Sequence, residues 1–167
     1  TDEEVKRYGF CWSSSHRRVI IPVYNEIGDL MFWQGRDLSG TSLLKYRNEK
    51  GPKPSLFYSG SRSGEYVVLT EDILSSIRCG RFLPSISSMG TSLKSEHVVE
   101  IAERFKNVII FFDDDNNTVR HEQLKVQREL ATVIKGTCVI IHSNGKDPKE
   151  HNDEELRSVL LDAMNGV

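Results

Sequence analysis

The stretch Val108-Ile109-Ile110-Phe111-Phe112-Asp113-Asp114-Asp115 runs a hydrophobic strand straight into three carboxylates. Its body is apolar and rich in β-formers, as a strand buried on both faces requires, and its last residues emerge at a sheet edge. Alternate residues of an extended chain point the same way, so Asp113 and Asp115 share one face. Two carboxylates on one face repel unless a cation sits between them, and a hard, oxygen-seeking ion such as Mg²⁺ is the simplest partner. The competing reading is an acidic loop that merely stays in water.

The same design recurs on either side. Upstream, Tyr66-Val67-Val68-Leu69-Thr70-Glu71 is an apolar run ending in an acid, followed by a helical stretch over 72–79 that Gly80 stops in the left-handed conformation. Downstream, Thr137-Cys138-Val139-Ile140-Ile141 leads to Gly145-Lys146-Asp147-Pro148-Lys149-Glu150. Strands are expected at 66–71, 83–87, 108–112 and 137–141, with helices near 72–79, 95–105 and 118–134. Ser95 is the expected cap of the second helix, with Val98, Val99, Ile101, Ala102 and Phe105 as its apolar face. Val126, Leu130, Val133 and Ile134 serve the third. Asn152 caps a last helix over 153–164, with Glu155 at the capping-box position. This alternation is α/β with a largely parallel central sheet flanked by helices. In such sheets ligands gather outside the carboxyl ends of the strands, where Glu71, Asp113, Asp115 and Asp147 all fall.

Ahead of this lies a different pattern. Residues 18–23 and 28–36 read as two strands joined by a turn over Asn25–Gly28, and Gly40 and Gly51-Pro52-Lys53-Pro54 make the following stretch irregular. Residues 1–62 therefore form a small antiparallel β-rich subdomain and 63–167 the α/β domain. The first 60 residues carry nine Lys and Arg against seven Asp and Glu, while 113–167 carry seven against eleven. With a net charge of only −2, a polyanionic partner must meet a local basic patch and not the overall field. Three scattered cysteines without a CxxC pair argue against disulfides and a zinc site and favour a reducing compartment. No apolar stretch reaches membrane-spanning length, and the sequon at Asn116-Asn117-Thr118 reads as chance. The chain starts without methionine inside ordinary charged sequence, as a piece of a longer protein does.

A Glu at the end of one strand and Asp-x-Asp at the end of a later one resemble the signature of the Toprim fold. The segment Arg18 to Gly28, then Gln34-Gly35-Arg36, then Lys45-Tyr46-Arg47-Asn48 looks like the basic N-terminal half of DnaG-type primase cores. Ser88-Met89-Gly90-Thr91 resembles their Leu-Gly-Thr turn, and Gly145-Lys146-Asp147-Pro148 resembles their third acidic motif, as found in phage primase–helicases. The resemblance covers most of the chain. It implies a Toprim fold and a DNA-dependent RNA polymerase that makes short primers on single-stranded DNA during DNA replication, a nucleotidyltransferase using Mg²⁺ or Mn²⁺.

The same resemblance assigns roles. Asp113 and Asp115 hold the metal, Asp147 completes the site directly or through water, and Glu71 is either general base or a further ligand. Arg36, Lys45 and Arg47 meet template or triphosphate phosphates, Tyr46 and Asn48 meet a base, and Lys146 either meets phosphate or neutralises its acidic neighbours. The implied partners are single-stranded DNA, ribonucleoside triphosphates, a replicative helicase (fused or recruited) and a zinc-binding domain outside this chain, in the cytoplasm of a bacterial host. Three departures stand out: Asp72 where Gly follows the Glu, Ser75 where the family has another Asp, and Asn116-Asn117 in place of Ala-Gly. Asp72 either supplies the missing carboxylate or caps its helix, and the changes point to a divergent, phage-type enzyme. The alternatives are a Toprim nuclease or topoisomerase-like strand breaker, and an inactive single-strand-binding module.

Overall fold

The two longest acid-terminated runs pair with each other. Strand β6 (Gly64–Thr70) lies parallel to β8 (Phe105–Ile110), with Val67 opposite Val108 and Leu69 opposite Ile110. Val67, Val68, Leu69, Val108, Ile109 and Ile110 are fully buried. Burial on both faces explains why they read as continuous apolar runs and not as an alternation. β9 (Cys138–Ile140) adds in parallel beyond β8, and β7 (Ser85–Ser87) in parallel beyond β6. β5 (Phe57–Ser59) closes the far edge antiparallel to β7, giving the order β5-β7-β6-β8-β9.

This computed structural model describes residues 1–48, 56–113, 116–143 and 145–166. The chain divides into two compact units, Thr1–Pro54 and Ser55–Val167. The sequence reading puts the boundary after residue 62, whereas β5 pairs within the second sheet.

The helices of the second unit are α2 (Ile73–Cys79), α3 (Ser95–Arg104), α4 (Asn117–Ala131) and α5 (Asp153–Asn165), with a 3₁₀ turn at Pro148–Glu150. Alternation along the strands sorts them onto two faces. Val67, Leu69, Val108 and Ile110 pack with Val98 and Ile101 of α3 and Val126 and Leu130 of α4. Val68 and Phe111 pack on the other side with Cys79 of α2 and Leu156 and Leu160 of α5. All four helices fall where the apolar periodicity puts them. Asn152 caps α5 and forms the expected capping box with Glu155.

Some local expectations differ. The residue capping α3 is Lys94, whose side chain makes no cap hydrogen bond, and Ser95 is already helical. α4 stops three residues early at Ala131, so Val133 is exposed. Gly80 ends α2 in a right-handed conformation (φ −62°). Its lack of a side chain is needed for space: an added Cβ would run into the Ser59 hydroxyl of β5.

The first unit is an antiparallel meander. Its helix α1 (Asp2–Arg7) precedes β1 (Cys11–Ser13), β2 (Arg18–Tyr24), β3 (Leu30–Arg36) and β4 (Tyr46–Asn48), in the order β1-β2-β3-β4. The turn between β2 and β3 is built as its sequence requires. Asn25 Oδ1 accepts from the amides of Ile27 (3.1 Å) and Asp29 (2.8 Å), and Gly28 takes the left-handed φ of +90°.

Candidate active site

Because β6, β8 and β9 are adjacent and parallel, their carboxyl ends meet at one edge of the sheet. Glu71 follows β6 directly, Asp113 lies three residues past β8, and Asp147 sits in the segment after β9. Their proximity is electrostatic as well as topological. Burial pushes the Glu71 carboxyl up to about 7, and the charges of Asp72, Asp147 and Asp113 push in the same direction against the pull of Lys149. Asp115, expected beside Asp113, lies outside the described residues, as does Asp114.

Glu71 is held through its backbone by the turn after β7. The Ser87 hydroxyl donates to the Glu71 carbonyl at 3.0 Å and the Gly90 amide at 2.9 Å, while the Ser88 amide donates to the Thr70 carbonyl at 3.2 Å. Met89, at the bend, is buried with a left-handed φ of +54°. Such a conformation persists for a side-chain-bearing residue only where its surroundings fix it. The Ser88–Thr91 motif thus acts as a clamp on the strand end that carries Glu71.

Asp72 takes the capping role of its two candidate roles. Its Oδ1 accepts from the amides of Leu74 (2.9 Å) and Ser75 (3.2 Å), and its Oδ2 accepts from the Ser75 hydroxyl at 2.7 Å. Two of the departures from the family pattern, at 72 and 75, therefore belong to one hydrogen-bonded unit. The third is also structural, since Asn116 caps α4 by accepting from the Val119 amide at 3.1 Å.

The sequence reading misses Lys149. Its ammonium donates to Asp72 Oδ2 at 2.9 Å and also bonds Asp147 Oδ2, and all three side chains are at most 15% exposed. Burial opposes its charge, but Asp72 and Asp147 more than offset that and hold the ammonium above its ordinary range. For Asp72 burial is likewise outweighed, by Lys149 and Ser75, and its carboxyl stays below the usual range. The signal for Lys149 was its place two residues after Asp147, across a proline that fixes the turn. Lys146 pairs with Glu155 at 2.7 Å.

In the first unit the basic candidates are dispersed. Arg36 opposite Tyr46, and Gln34 opposite Asn48, lie on one face of the meander, and Arg47, opposite Gly35, lies on the other. The Arg36 guanidinium stacks 4.9 Å from the Tyr46 ring centroid and bonds its hydroxyl, and Gln34 donates to Asn48 at 3.1 Å. Lys45 and Arg47 are exposed. Arg18, read only as a strand start, is 7% exposed and donates to the carbonyls of Lys45 (3.2 Å) and Leu44 (2.8 Å) and to the Ser42 hydroxyl (2.7 Å). It fixes the segment that presents Lys45. Trp12 of β1 is 59% exposed and lines a cleft of about 340 Å³ with His16, Arg17 and Asp37.

The acidic edge suits a hard cation in its chemistry, since its donors are all carboxylate oxygens and Glu71 resists ionising among its neighbours. Among the described residues, no three Asp, Glu, His or Cys side chains converge closely enough to hold an ion. Lys149 lies between two of the carboxylates, and Asp115 lies outside that set. Also among the described residues, no helix is long and apolar enough to cross a membrane.

No family model matches the chain. It is 27% identical to a DNA primase of Thermotoga maritima over 169 residues, a match that covers 90% of this chain and 30% of that protein. The chain thus spans under a third of the length of that curated relative. In structure it is similar to the Aquifex aeolicus primase, solved as its zinc-binding and RNA polymerase domains. That likeness has a TM-score of 0.72 at 20% identity, over 90% of this chain and 40% of that one. It is also similar to a chain of a bacteriophage T7 complex, in which the lagging-strand DNA polymerase interacts with primase domains of two gp4 subunits bound to an RNA/DNA hybrid and dTTP. There the TM-score is 0.69 at 20% identity, over 98% of this chain and 87% of that one. The chain therefore has the fold of a DnaG-type primase catalytic core, a Toprim unit preceded in sequence by an antiparallel β unit.

Proposed function

We propose that this chain is the RNA polymerase core of a DNA primase, joining ribonucleotides into short primers on single-stranded DNA. The observation that carries the reading is the acidic edge: adjacent parallel strands bring the ends that carry Glu71, Asp113 and Asp147 to one side of the sheet, where burial first and the neighbouring carboxylates second raise the Glu71 carboxyl to about 7. The relative from Thermotoga maritima and the structural neighbours are primases, which favours this reading over a strand-cleaving enzyme or an inactive binding module.

Glu71, Asp113 and Asp115 would hold Mg²⁺ or Mn²⁺, with Asp147 completing the site directly or through water. The bound ion would supply positive charge to the phosphate oxygens of the incoming nucleotide and to the primer 3′-hydroxyl that attacks its α-phosphate. The chain's own contribution is to hold Glu71 and Asp113 in place. The strand ends set their spacing, the 87–90 turn pins Glu71, and the Asp72–Lys149–Asp147 bridge fixes the flank of the site. Lys45 and Arg47 offer exposed charge to template phosphates, Arg36 and Tyr46 offer a stacked cation and ring, and Asn48 offers a polar group beside them. Lys146, half-exposed in its pair with Glu155, can exchange that partner for a triphosphate. The Aquifex neighbour, solved with its zinc-binding domain, and the T7 primase domains support assigning the chain to a phage-type primase that acts alongside a zinc-binding domain, and we add a replicative helicase as partner and the cytoplasm of a bacterial host as its place.

The test is extension of a supplied short RNA on a single-stranded DNA template, with ribonucleotides and Mg²⁺ or Mn²⁺. Supplying the primer bypasses start-site recognition by any zinc-binding domain. The parent extends the RNA and Asp113→Asn does not. Shortened nucleic acid would replace this reading with a nuclease. DNA binding by the folded parent with no change of length, even when a zinc-binding domain is added in trans, would replace it with a binding module.

A further inference from the structure

We infer that Trp12 is a base-stacking residue for single-stranded DNA, standing at one end of a lateral row, Trp12–Val19–Arg36–Tyr46, that crosses the first sheet, with Arg17 beside it to receive a phosphate. This rests on the reading of the first unit as the part that meets the template. Trp12 and Arg17 both lie upstream of the segments, beginning at Arg18, that resemble primase cores.

Strand register builds the row. Trp12 pairs with Val19 across β1 and β2, Val19 with Arg36 across β2 and β3, and Arg36 with Tyr46 across β3 and β4. Directly opposed residues share a face, so all four side chains stand on one side of the sheet. The two aromatic residues are three strands apart, about 14 Å. Further along that face the side chains are shut in, since Ile21 and Gln34, the next opposed pair, are both buried. The Trp12 row is the rim where the face opens. There Trp12 is exposed over more than half its surface, and the Arg36 guanidinium lies over the Tyr46 ring. An indole left this open in water gains from a flat apolar partner, and an unpaired base offers one.

The surroundings of Trp12 suit the rest of a nucleotide. Its cleft is also lined by Arg17, Arg18, Asp37, Ser39 and Thr41. Asp37 is turned into its own loop, accepting from the Ser39 hydroxyl at 2.9 Å and the Gly40 amide at 2.9 Å, and Arg18 is engaged by Ser42 and the carbonyls of residues 44 and 45. Two arginines against one carboxylate leave the cleft cationic. Arg17 is exposed, and the turn that carries it is pinned. The preceding His16 shares a hydrogen bond of 2.9 Å with the Ser13 hydroxyl and meets the Trp33 ring edge-on at 5.2 Å, while Arg17 itself holds a left-handed φ of +51°. A ring, a cation and hydroxyls in one cleft are what a stacked base with its phosphate and sugar requires. A bare anion would have no use for the ring, and a duplex would keep its base faces covered.

The experiment separates stacking from charge. Binding of labelled oligothymidylate to the full chain is followed by fluorescence anisotropy over a salt series, beside a strand of equal length made of abasic sites. Trp12→Ala should weaken oligothymidylate binding about tenfold with the salt slope unchanged, and Trp12→Phe should stay within about threefold of the parent. Arg17→Ala should lower the slope by about 1, and an unchanged slope would overturn its part. On the abasic strand the parent and Trp12→Ala should bind alike. A Trp12→Ala chain that binds oligothymidylate as the parent does would overturn the inference, as would equal losses on the two strands, and either result leaves the template contacts of Lys45 and Arg47 standing. A parent that binds neither strand would remove the template reading and the inference with it. If Trp12→Ala fails to fold by circular dichroism, quenching decides. In Trp33→Phe the indole of Trp12 is the only one in the chain, and its emission should fall with oligothymidylate and not with the abasic strand. Emission unchanged by oligothymidylate would overturn the inference.

Discussion

The two units of this chain treat charge in opposite ways. In the second, three adjacent parallel strands all end on the same side, so Glu71, Asp113 and Asp147 are delivered to one edge and crowd one another. In the first, antiparallel register divides the basic residues between two faces, and two are satisfied from within: Arg18 by the carbonyls of residues 44 and 45, and Arg36 by Tyr46. A parallel sheet concentrates like charge and creates a demand for an outside partner. An antiparallel meander disperses it, and Lys45 and Arg47 stay exposed along with Lys6, Arg7 and Arg17.

That contrast can be broken most forcefully at Asp113. If the acidic edge is the reaction centre, Asp113→Asn should lower primer extension by about 10³-fold, the equivalent of about 4 kcal/mol of lost charge stabilisation. Binding of single-stranded DNA should survive. A comparable loss of DNA binding would mean that the edge grips template and does not act on nucleotides.

The next largest effect belongs to the first unit's internal satisfaction. Arg18→Met removes three hydrogen bonds from a guanidinium that is 7% exposed, and it should cost about 3 kcal/mol of stability in a denaturant titration. Unchanged stability would show that the meander does not depend on this arginine.

Replacing Lys45 and Arg47 together by alanine should weaken single-stranded DNA binding by about tenfold and reduce the slope of its salt dependence by about 2, with the melting temperature unchanged. Arg36→Ala tells the two faces apart. A loss equal to that of the double variant would put the template on the Arg36–Tyr46 face, and no loss would put it on the Arg47 side.

The smallest effect concerns pH. The Glu71 carboxyl titrates near 7 in the folded chain against 4.5 when unfolded, so the folded state keeps a proton that the unfolded state releases. The resulting stabilisation is complete below pH 4.5 and gone above about 7. In chelator, the melting temperature should therefore fall as pH rises across that window, and Glu71→Gln should flatten the fall. Parallel curves for the two proteins would contradict the burial of Glu71 among like charges.

Much of this was legible in the chain itself, for reasons that differ from place to place. Strands β6 and β8 announce themselves because a strand buried on both faces must be apolar throughout, and helices α3 to α5 because one stripe of each faces the sheet. Strands β4 and β5, three residues each, carry too few side chains for any period and exist because a neighbour pairs with them. At the site, Glu71, Asp113 and Asp147 could be found because strand ends are sequence landmarks. Lys149 had only its place two residues after Asp147 to mark it, because its other partner, Asp72, is 77 residues away.

The sequence by itself determined the α/β alternation, the antiparallel unit ahead of it and the acids at the strand ends, since hydrophobic periodicity and strand punctuation are local properties of the chain. Only the tertiary structure decided that Asp72 caps a helix and joins Asp147 through a lysine, that Gly80 serves for space and not for a left-handed turn, and that Arg47 faces away from Arg36. Those outcomes depend on strand register and on contacts between distant segments. Short-range pattern carries no record of either.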